Sequence, residues 1–392
     1  MINILIDTRP LASNLTGVGR YTYEIAKNLN KNEFKPTYDY GFLTDKLIVG
    51  DLNQQKNKPS IKSYLINIAK RILDKTPTIK KVVKKMLIKN SLREVKSINI
   101  DLYFQPNFIP LEFKAKVTVT TIHDLAFMSY PEFHPKERID YFEQNFIPNL
   151  SKTDHFITVS NAIKHEIIKK LNISADKISV IYNGYDENIF KPKNKQTINI
   201  LKDRLELNNP FILFVGSIEP RKNLTTLIQA YNELNLNNID LVIVGAKGWE
   251  NSGIHSLIQN NEHIKFLGFT PDDDLATLYS SATIFVYPSI YEGFGIPPLE
   301  AMACGAPILL SDIEVFREIY GNVAEFFSPL NAKELAEKLK NLINNSDKLS
   351  IMKKNGLILS KKYSWKKCIQ EHEKLFIKLL DQYMFINTLL SK

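Results

Sequence analysis

The most informative run of residues in this chain is Tyr291-Glu292-Gly293-Phe294-Gly295-Ile296-Pro297-Pro298-Leu299-Glu300. It follows an apolar run at 283–287 that is typical of a buried strand, and its glycines provide the φ freedom that a tight turn requires. Two prolines then suit the first turn of a helix, where a missing N–H costs nothing. The stretch therefore predicts a strand, a glycine turn and a helix start.

The start of that helix is also a predicted anion site. Free backbone N–H groups and the positive end of the helix dipole favour a negative ligand such as a diphosphate. Glu292 on the loop is placed to reach sugar hydroxyls, and Glu300, one turn into the helix, is placed to accept hydrogen bonds from a ribose diol. A Glu in a first helical turn often only caps the backbone, so the prediction depends on both carboxylates and the glycines together.

The two glutamates, eight positions apart, resemble the E-x7-E signature of retaining family-four glycosyltransferases with the GT-B fold. Further motifs in the same order extend the resemblance from Met1 to about Trp365. It implies an α/β protein with two Rossmann-like doubly wound domains that face a cleft. Besides the two glutamates, it assigns to donor binding the neighbouring loop and helix residues Gly293, Phe294, Gly295, Ile296 and Leu299.

A chain of 392 residues exceeds what one hydrophobic core usually serves, so two domains are expected. Apolar runs alternate with helical patterns, which predicts parallel sheets. The strand candidates are 2–7, 101–104, 117–122, 155–159, 211–215, 240–244, 264–267, 283–287 and 307–310. Glycine and asparagine at 182–186, before the polar stretch 191–199, predict a hinge. The predicted units are an acceptor-side domain at 1–188, a nucleotide-sugar-binding domain at 189–366, and a C-terminal helix at 367–392 that packs back on the first domain.

The first domain offers two candidates for the cleft. Gly17 and Gly19 precede a helix predicted from Tyr21 and could present N–H groups to phosphate, but a dinucleotide fingerprint would need glycine where Thr22 stands, which disfavours a nicotinamide dehydrogenase. His123 follows the predicted strand 117–122 directly. A lone histidine there is more often structural, yet the resemblance assigns it to the donor sugar, commonly to the 6-hydroxyl. Asp124 is a candidate for orienting its imidazole.

The second domain offers two more candidates at the ends of strands. Gly216 and Ser217 leave the strand 211–215, followed by Arg221 and Lys222, which can bind phosphate oxygens as a fork and as a point charge. A basic pair is often only a solvated surface, but here it matches the family pattern. Gly268 and Phe269 border the nucleobase in the family and could read its edge, although both also suit a core strand, so the identity of the base stays open.

The resemblance implies that the acceptor hydroxyl attacks on the face from which the diphosphate departs, with the leaving phosphate taking the proton. No covalent nucleophile is assigned. The residues expected to take part in catalysis are His123, Glu292, Arg221 and Lys222. Because the two cations would replace the divalent ion of other sugar transferases, we predict no metal, and no cofactor beyond the nucleotide sugar as co-substrate.

Several alternatives remain open. A glycoside hydrolase that uses Glu292 in a carboxylate pair would leave Arg221 and Lys222 unexplained. A sugar-nucleotide epimerase on the same fold is a closer rival, and a non-catalytic membrane-surface protein is a third. Nucleic acid is disfavoured, because the sequence shows no aromatic platform or zinc-finger spacing. The sequence at 123–125 and 219–223 resembles mannosyl- and rhamnosyltransferases of surface polysaccharide and lipopolysaccharide synthesis. We therefore expect GDP-mannose as donor and a glycan or lipid-linked glycan as acceptor.

The net charge of +9 is concentrated in one segment, 56–96, which has thirteen Lys and Arg against two acids and so carries +11. Apolar residues at helical spacing on either side of Pro77 predict two basic amphipathic helices, which can lie on an anionic membrane surface; an ordinary solvated face is the alternative. The sequence shows neither a signal-peptide pattern nor an apolar run long enough to span a bilayer. Together with only two cysteines, Cys304 and Cys368, this predicts a cytoplasmic protein, peripheral on the inner face of the plasma membrane.

Overall fold

The computed structural model describes residues 1–12, 17–48, 77–236, 238–246 and 261–391. Among them, a first sheet has the strand order β3-β2-β1-β4-β5-β6-β7. Its neighbouring strands are parallel, except that β3 runs antiparallel to β2. These strands are β1 (Ile2–Asp7), β2 (Phe34–Asp39), β3 (Leu43–Thr44), β4 (Ile100–Gln105), β5 (Ala115–Ile122), β6 (His155–Thr158) and β7 (Ile178–Val180).

A second sheet, formed by residues 211–327, is parallel throughout, with the order β10-β9-β8-β11-β12-β13. Its strands are β8 (Phe211–Val215), β9 (Asp240–Val244), β10 (Ile264–Gly268), β11 (Ile284–Tyr287), β12 (Ile308–Ser311) and β13 (Glu325–Phe327). The predicted fold class, α/β with two doubly wound parallel-sheet domains, is confirmed. In both sheets the chain works outward on one side of the first strand and then crosses to the other side, which creates a switch point beside β1 and beside β8.

Helices cover the sheets in both domains. In the first domain they are α1 (Gly17–Asn28), α2 (Pro77–Glu94), α3 (Ala126–Ser129), α4 (Lys136–Asn145) and α5 (Asn161–Leu171). In the second they are α6 (Lys195–Arg204), α7 (Leu224–Leu234), α8 (Asp272–Ser281), α9 (Ile296–Ala303), α10 (Glu314–Tyr320), α11 (Ala332–Ile343) and α12 (Ser346–Ser360). The long α13 (Trp365–Leu390) ends the described chain.

Helix α13 packs on the first domain although it follows the second in sequence. Trp365, Ile369 and Phe376 are buried in the same apolar cluster as β1, β4 and β5. At the start of this helix, a Cβ on Gly184 would lie 2.0 Å from the backbone nitrogen of Trp365, so the two places where the chain passes between domains touch each other. Domain limits at 188 and 366 agree with this course of the chain and remain our proposal.

The structure corrects two local predictions. Helix α1 begins at Gly17, so the glycines form its first turn and not a preceding loop. Helix α6 begins at Lys195, inside the polar stretch 191–199 that follows the predicted hinge at 182–186, because Asn194 caps it by accepting a hydrogen bond from the backbone N–H of Thr197.

The basic segment is only partly described. Helix α2 starts at Pro77, where we predicted the second amphipathic helix to begin, and the first predicted helix lies outside the described residues. In the part of the chain that the structure describes, no helix combines the length and the apolarity needed to cross a membrane. Cys304 and Cys368 are both buried free thiols.

Candidate active site

The candidate site lies at the switch point of the second sheet. Strands β8 and β11 are parallel neighbours, so the loops at their carboxyl ends run side by side, and the backbone N–H of Ile290 donates to the carbonyl of Arg221 over 2.9 Å. Ligands of open α/β sheets bind in such a crevice. This geometry brings together two motifs that are 70 residues apart in sequence.

At the centre of the site a buried carboxylate is held by two buried cations. Oε1 of Glu292 lies 2.6 Å from Nζ of Lys222 and accepts a 2.8 Å hydrogen bond from the Ser289 hydroxyl. Oε2 of Glu292 lies 2.9 Å from Nη1 of Arg221, which also donates to the Tyr291 carbonyl. Lys222 donates in addition to the Tyr287 hydroxyl. The carboxylate predicted to reach a sugar is therefore occupied by the cations predicted to bind phosphate.

The ionisation of this group follows from its partners. Burial acts to raise the pKa of Glu292, but Arg221 and Lys222 lower it to about 2. Burial acts against the charge of Arg221, yet Glu292 raises its pKa above the usual range. Burial and the adjacent Arg221 lower the pKa of Lys222. Asp124 and Glu219 also act to raise the pKa of Arg221, and Glu219 acts on Lys222 in the same sense, so the two cations face more than one carboxylate in this buried site.

The second glutamate has a different environment. Glu300 is buried on α9, one turn after its start, and within the described residues its carboxylate accepts one weak hydrogen bond, 3.3 Å from the Tyr279 hydroxyl. Nη1 of Arg20 is 3.8 Å from its Oε1, beyond hydrogen-bonding distance. Burial is the main cause that raises the pKa of Glu300 to about 8.

His123 lies at the carboxyl end of β5, as predicted. Its Nε2 is 2.7 Å from the Pro106 carbonyl, and its ring meets the Tyr21 ring edge-on. Because burial lowers the pKa of His123, the ring is neutral at pH 7, and a nitrogen facing a carbonyl must carry the proton, which leaves Nδ1 as an acceptor. The expectation that Asp124 orients this ring is wrong: Pro106 does so, and the Asp124 carboxylate accepts from the Ala126 N–H instead.

Two positions in the stretch 291–300, Gly293 and Gly295, have either no room for a side chain or a backbone conformation that only glycine adopts readily. A Cβ on Gly293 would lie 2.0 Å from the backbone oxygen of His123, so this loop of the second domain rests directly on the first domain. Gly295 has φ +94° and lies against Phe316. The side chains of Phe294 and Leu299, both predicted to bind the donor, are buried in the core of the second domain, which leaves their backbone for any such contact.

The glycines of α1 face the same place from the first domain. A Cβ on Gly17 would lie 3.9 Å from Cδ1 of Ile296, so the N-termini of α1 and α9 meet across the cleft. Gly19 is buried two residues further on, in the same turn. The two positive helix ends therefore lie close together; the first N–H groups of α1 lack intrahelical partners, whereas Pro297 and Pro298 have no N–H in the first turn of α9.

The remaining predicted residues border the carboxyl edge of the second sheet. The backbone N–H of Gly216 donates to Val244, and Ser217 bonds to Glu219. Gly268, at φ +68°, accepts from the N–H of Gly245, and among the described residues other than its chain neighbours no atom lies within 4 Å of where its Cβ would be. The next residue, Phe269, is 78% exposed, which makes it an unusually open aromatic side chain at a strand end.

Sequence reasoning missed several residues that join the two domains. Arg20 of α1 donates to the Asp272 carboxylate at the start of α8 over 2.6 Å. The Tyr291 hydroxyl donates to Glu166 and accepts from the Leu125 N–H. Arg20 directly follows the predicted Gly19, and Tyr291 begins the quoted stretch, but partners 252 and 125 residues away leave no local signal.

Two family models match this chain in succession. The model "Glycosyltransferase Family 4" matches residues 15–188, and the model "Glycosyl transferases group 1" matches residues 195–357. The chain belongs to the group 1, family 4 glycosyltransferases. Its two parallel-sheet domains form the GT-B fold, as the resemblance implied.

Two curated relatives of this glycosyltransferase are bacterial mannosyltransferases. It is 29% identical over 377 residues to O-antigen chain mannosyltransferase B of Escherichia coli, which covers 94% of this chain and 97% of the relative. It is 31% identical over 233 residues to O-antigen chain mannosyltransferase RfbU of Salmonella typhimurium, which covers 59% of this chain and 62% of the relative.

Solved structures show the same fold at lower identity. The glycosyltransferase matches sucrose-phosphate synthase from Thermosynechococcus elongatus with a TM-score of 0.73 at 18% identity, over 97% of this chain and 100% of that one. It matches Anabaena Alr3699/HepE in complex with UDP and glucose with a TM-score of 0.69 at 17% identity, over 96% of this chain and 100% of that one. Both show the likeness of fold.

Proposed function

We propose that the protein transfers a mannosyl residue from GDP-mannose to a glycan or lipid-linked glycan acceptor, with retention of configuration and without a metal ion. The observation that carries the proposal is the buried group of Arg221, Lys222 and Glu292 at the switch point. Arg221 has five N–H donors and Lys222 three, more than their contacts with Glu292, Tyr287 and Tyr291 use in the described part of the chain, and a diphosphate would accept from the others. Charge-assisted hydrogen bonds of about 1.5–3 kcal/mol each suit that ligand.

The meeting of two helix ends supports the same ligand. The N-termini of α1 and α9 lie against each other at Gly17 and Ile296, so their dipoles repel in the absence of an anion. A diphosphate between them would receive hydrogen bonds chiefly from the first N–H groups of α1, because Pro297 and Pro298 have no N–H to donate in the first turn of α9. The same anion would hold the two domains together, since each helix belongs to a different one.

The sugar of the donor would lie beside His123. The Nδ1 acceptor of this neutral ring suits a sugar hydroxyl, such as the 6-hydroxyl that the family resemblance assigns to it. Gly293 packs on the backbone of the same residue, so the donor-phosphate loop and the sugar-binding ring are fixed relative to each other. Such fixed geometry is what positions reacting atoms.

The proposed step breaks the bond between the anomeric carbon and the diphosphate oxygen and forms a bond from that carbon to the acceptor oxygen on the same face. The acceptor proton moves to the leaving phosphate. Arg221 and Lys222 stabilise the charge that develops on the diphosphate, which is the largest contribution that the protein makes. Glu292 holds both cations in place, and Glu300 receives the ribose diol.

The choice of mannose is supported by the names of the two bacterial relatives, both O-antigen mannosyltransferases. The open Phe269 ring at the end of β10 is a platform on which a nucleobase could stack. Stacking does not select among bases, so guanine is proposed from the donor that mannosyltransfer would use.

The test is transfer of label from GDP-[14C]mannose, UDP-[14C]glucose and UDP-[14C]galactose to lipid-linked glycan acceptors, with EDTA present. Transfer from GDP-mannose alone, with an α-linked product by NMR, is expected. Label that stays on the nucleotide in an altered sugar would favour the epimerase instead. A requirement for added Mg²⁺ or Mn²⁺, or an inverted linkage, would contradict the metal-free retaining mechanism.

We also propose a cytoplasmic location with peripheral membrane contact through 56–96. Within its described part, Met86 and Leu87 on α2 are exposed apolar side chains beside several lysines. Anionic vesicles attract such a surface by about 1 kcal/mol per cation near the membrane. Sedimentation with phosphatidylglycerol vesicles, and release by salt, is the expected behaviour; equal binding to neutral vesicles would contradict an electrostatic contact.

A further inference from the structure

Arg20 is a residue of the first domain whose charge reaches into the nucleotide side of the second. Its Nη2 donates to Oδ2 of Asp272 over 2.6 Å, and its guanidinium lies 5.8 Å from the centre of the Phe190 ring. Its Nη1 stands 3.8 Å from Oε1 of Glu300. Arg20 is thus clamped by Asp272 and Phe190 in a position that faces the Glu300 carboxylate.

The pair with Asp272 does not by itself explain this arrangement. Asp272 is substantially exposed, and an exposed ion pair contributes only about 0.2–1 kcal/mol. The second branch of the guanidinium is turned toward a buried carboxylate that it does not bond. A carboxylate has about four acceptor positions. In the described part of the chain, that of Glu300 uses one of them, on Tyr279, so most of its accepting capacity is open.

We propose that Arg20 is a positioning residue for the nucleotide: from the first domain it favours the charged form of the Glu300 carboxylate of the second domain and directs it for the ribose diol. The inference rests on the proposed function, because it assumes that Glu300 receives that diol. It adds a task for the first domain, which would then control recognition of the nucleoside as well as the acceptor.

The electrostatic surroundings of Glu300 agree with this task. Burial raises its pKa to about 8, and Arg20 is the largest cause that lowers it. Asp272 on α8 and Asp186 in the hinge oppose its charge, whereas the Tyr279 hydroxyl on α8 supports it through a hydrogen bond. Cys304, which follows α9, and Tyr320 on α10 also face it, and burial together with the charge of Glu300 raises the pKa of both. Without Arg20 the carboxyl group would be protonated over a wider range of pH and would accept hydrogen bonds poorly.

The experiment compares GDP with 2′,3′-dideoxy-GDP, and UDP with 2′,3′-dideoxy-UDP, by calorimetry on the full chain at pH 8.5, above the pKa of about 8 at which Glu300 becomes charged. The ratio of the two affinities reports the diol contact alone. We expect the wild type to prefer the ribonucleotide by about 10-fold or more, the scale of a hydrogen bond to a charged group. In Arg20→Met the preference should fall toward 1, with dideoxynucleotide affinity little changed. Arg20→Lys should restore part of it.

Two controls separate a positioning role from a structural one. Asp272→Asn removes the interdomain ion pair but leaves a cation beside Glu300, so most of the preference should survive. Lys222→Ala should weaken both nucleotides of a pair equally. If Asp272→Asn abolishes the preference as fully as Arg20→Met does, Arg20 is an interdomain tie and the proposal is wrong.

The dependence on pH gives an independent readout. Because loss of Arg20 raises the pKa of Glu300 further above about 8, the diol preference of Arg20→Met should return as the pH is raised to 9.5. A preference in Arg20→Met that stays the same from pH 7 to 9.5 would overturn the proposal. A wild type that binds neither nucleotide of either pair would overturn the proposed function, whereas one that binds both members equally would overturn only the role of Glu300.

Discussion

Glu292 and Glu300 are eight residues apart and almost equally buried, at 8% and 6% exposure, yet their pKa values are shifted in opposite directions. The pKa of Glu292 falls to about 2 and that of Glu300 rises to about 8. Burial acts on both in the same sense, so it cannot be the reason for the difference. The reason is the partners: two cations and a serine hydroxyl bond to Glu292, whereas one weakly bonded tyrosine and a more distant arginine face Glu300.

This difference separates two tasks within one short motif. Glu292 is committed to Arg221 and Lys222 and is best placed to organise charge for a diphosphate. Glu300 keeps its accepting capacity and is best placed to bind hydroxyl groups. A pattern of two glutamates does not distinguish these tasks, because it records the residue type and the spacing but not what approaches each carboxylate from other parts of the chain.

The largest expected effect comes from neutralising the committed carboxylate. In Glu292→Gln two buried cations lose their counterion, which should lower the free energy of unfolding by about 3–5 kcal/mol and abolish most transfer. Glu300→Gln is the matched control, since a group with a pKa of about 8 is mostly protonated at pH 7 and resembles glutamine. Its unfolding free energy should not fall, because wild-type Glu300 must bind a proton on folding at pH 7 and glutamine need not. Urea unfolding at pH 7 measures both, and equal losses would refute the contrast.

The contact between Gly293, next to Glu292, and the backbone of His123 predicts the second largest effect. In Gly293→Ala the new Cβ would lie 2.0 Å from the His123 carbonyl oxygen, so the loop must shift. We expect about 1–3 kcal/mol of destabilisation and about a 100-fold loss in kcat/KM. Gly17→Ala is the control for stability, because its Cβ would have room beside Ile296. Unchanged kinetics in Gly293→Ala would mean that the loop and the histidine need not be fixed together.

The smallest effects are opposite pH dependences of stability. Glu292 has a folded pKa below its unfolded value of 4.5, so its stabilisation is present above pH 4.5 and is lost as the pH falls toward about 2. Glu300 has a folded pKa above 4.5, so its contribution is present below pH 4.5 and is lost as the pH rises through about 8. Relative to wild type, Glu292→Gln should lose less unfolding free energy as the pH falls below 4.5. Glu300→Gln should lose less unfolding free energy as the pH rises toward 8. Unfolding free energies measured from pH 3 to 9 test this prediction. If the difference between wild type and variant changed with pH in the same pH range for both variants, the prediction would be wrong.

Much of the scaffold was predictable because local pattern and tertiary environment agree. Strands β8 and β9 are apolar runs that are fully buried, and their bounds match the prediction. Strand β2 was missed because Pro36 and polar residues hide its alternation, while its pairing with β1 comes from the sheet. The strand-end positions of His123, Arg221 and Lys222 followed from the pattern as well.

The electrostatics of the site were not predictable from the sequence. That Glu292 would be bound by Arg221 and Lys222 depends on β8 and β11 being neighbours, which places residues 70 positions apart in contact. That Arg20 would face Glu300 depends on how the first domain lies on the second. Charges that meet across long stretches of chain leave no periodic signal, so their partners become visible only in three dimensions.

We propose that the buried group of Arg221, Lys222 and Glu292 binds the diphosphate of a nucleotide. Calorimetry with GDP, UDP, dTDP, ADP and NAD on the wild type and on Lys222→Ala tests this binding. We expect saturable binding of one nucleoside diphosphate, weakened about 10- to 100-fold in the variant, with guanosine itself binding both proteins alike. Binding that is equally tight in the variant, or binding of no nucleotide by the wild type, would contradict it.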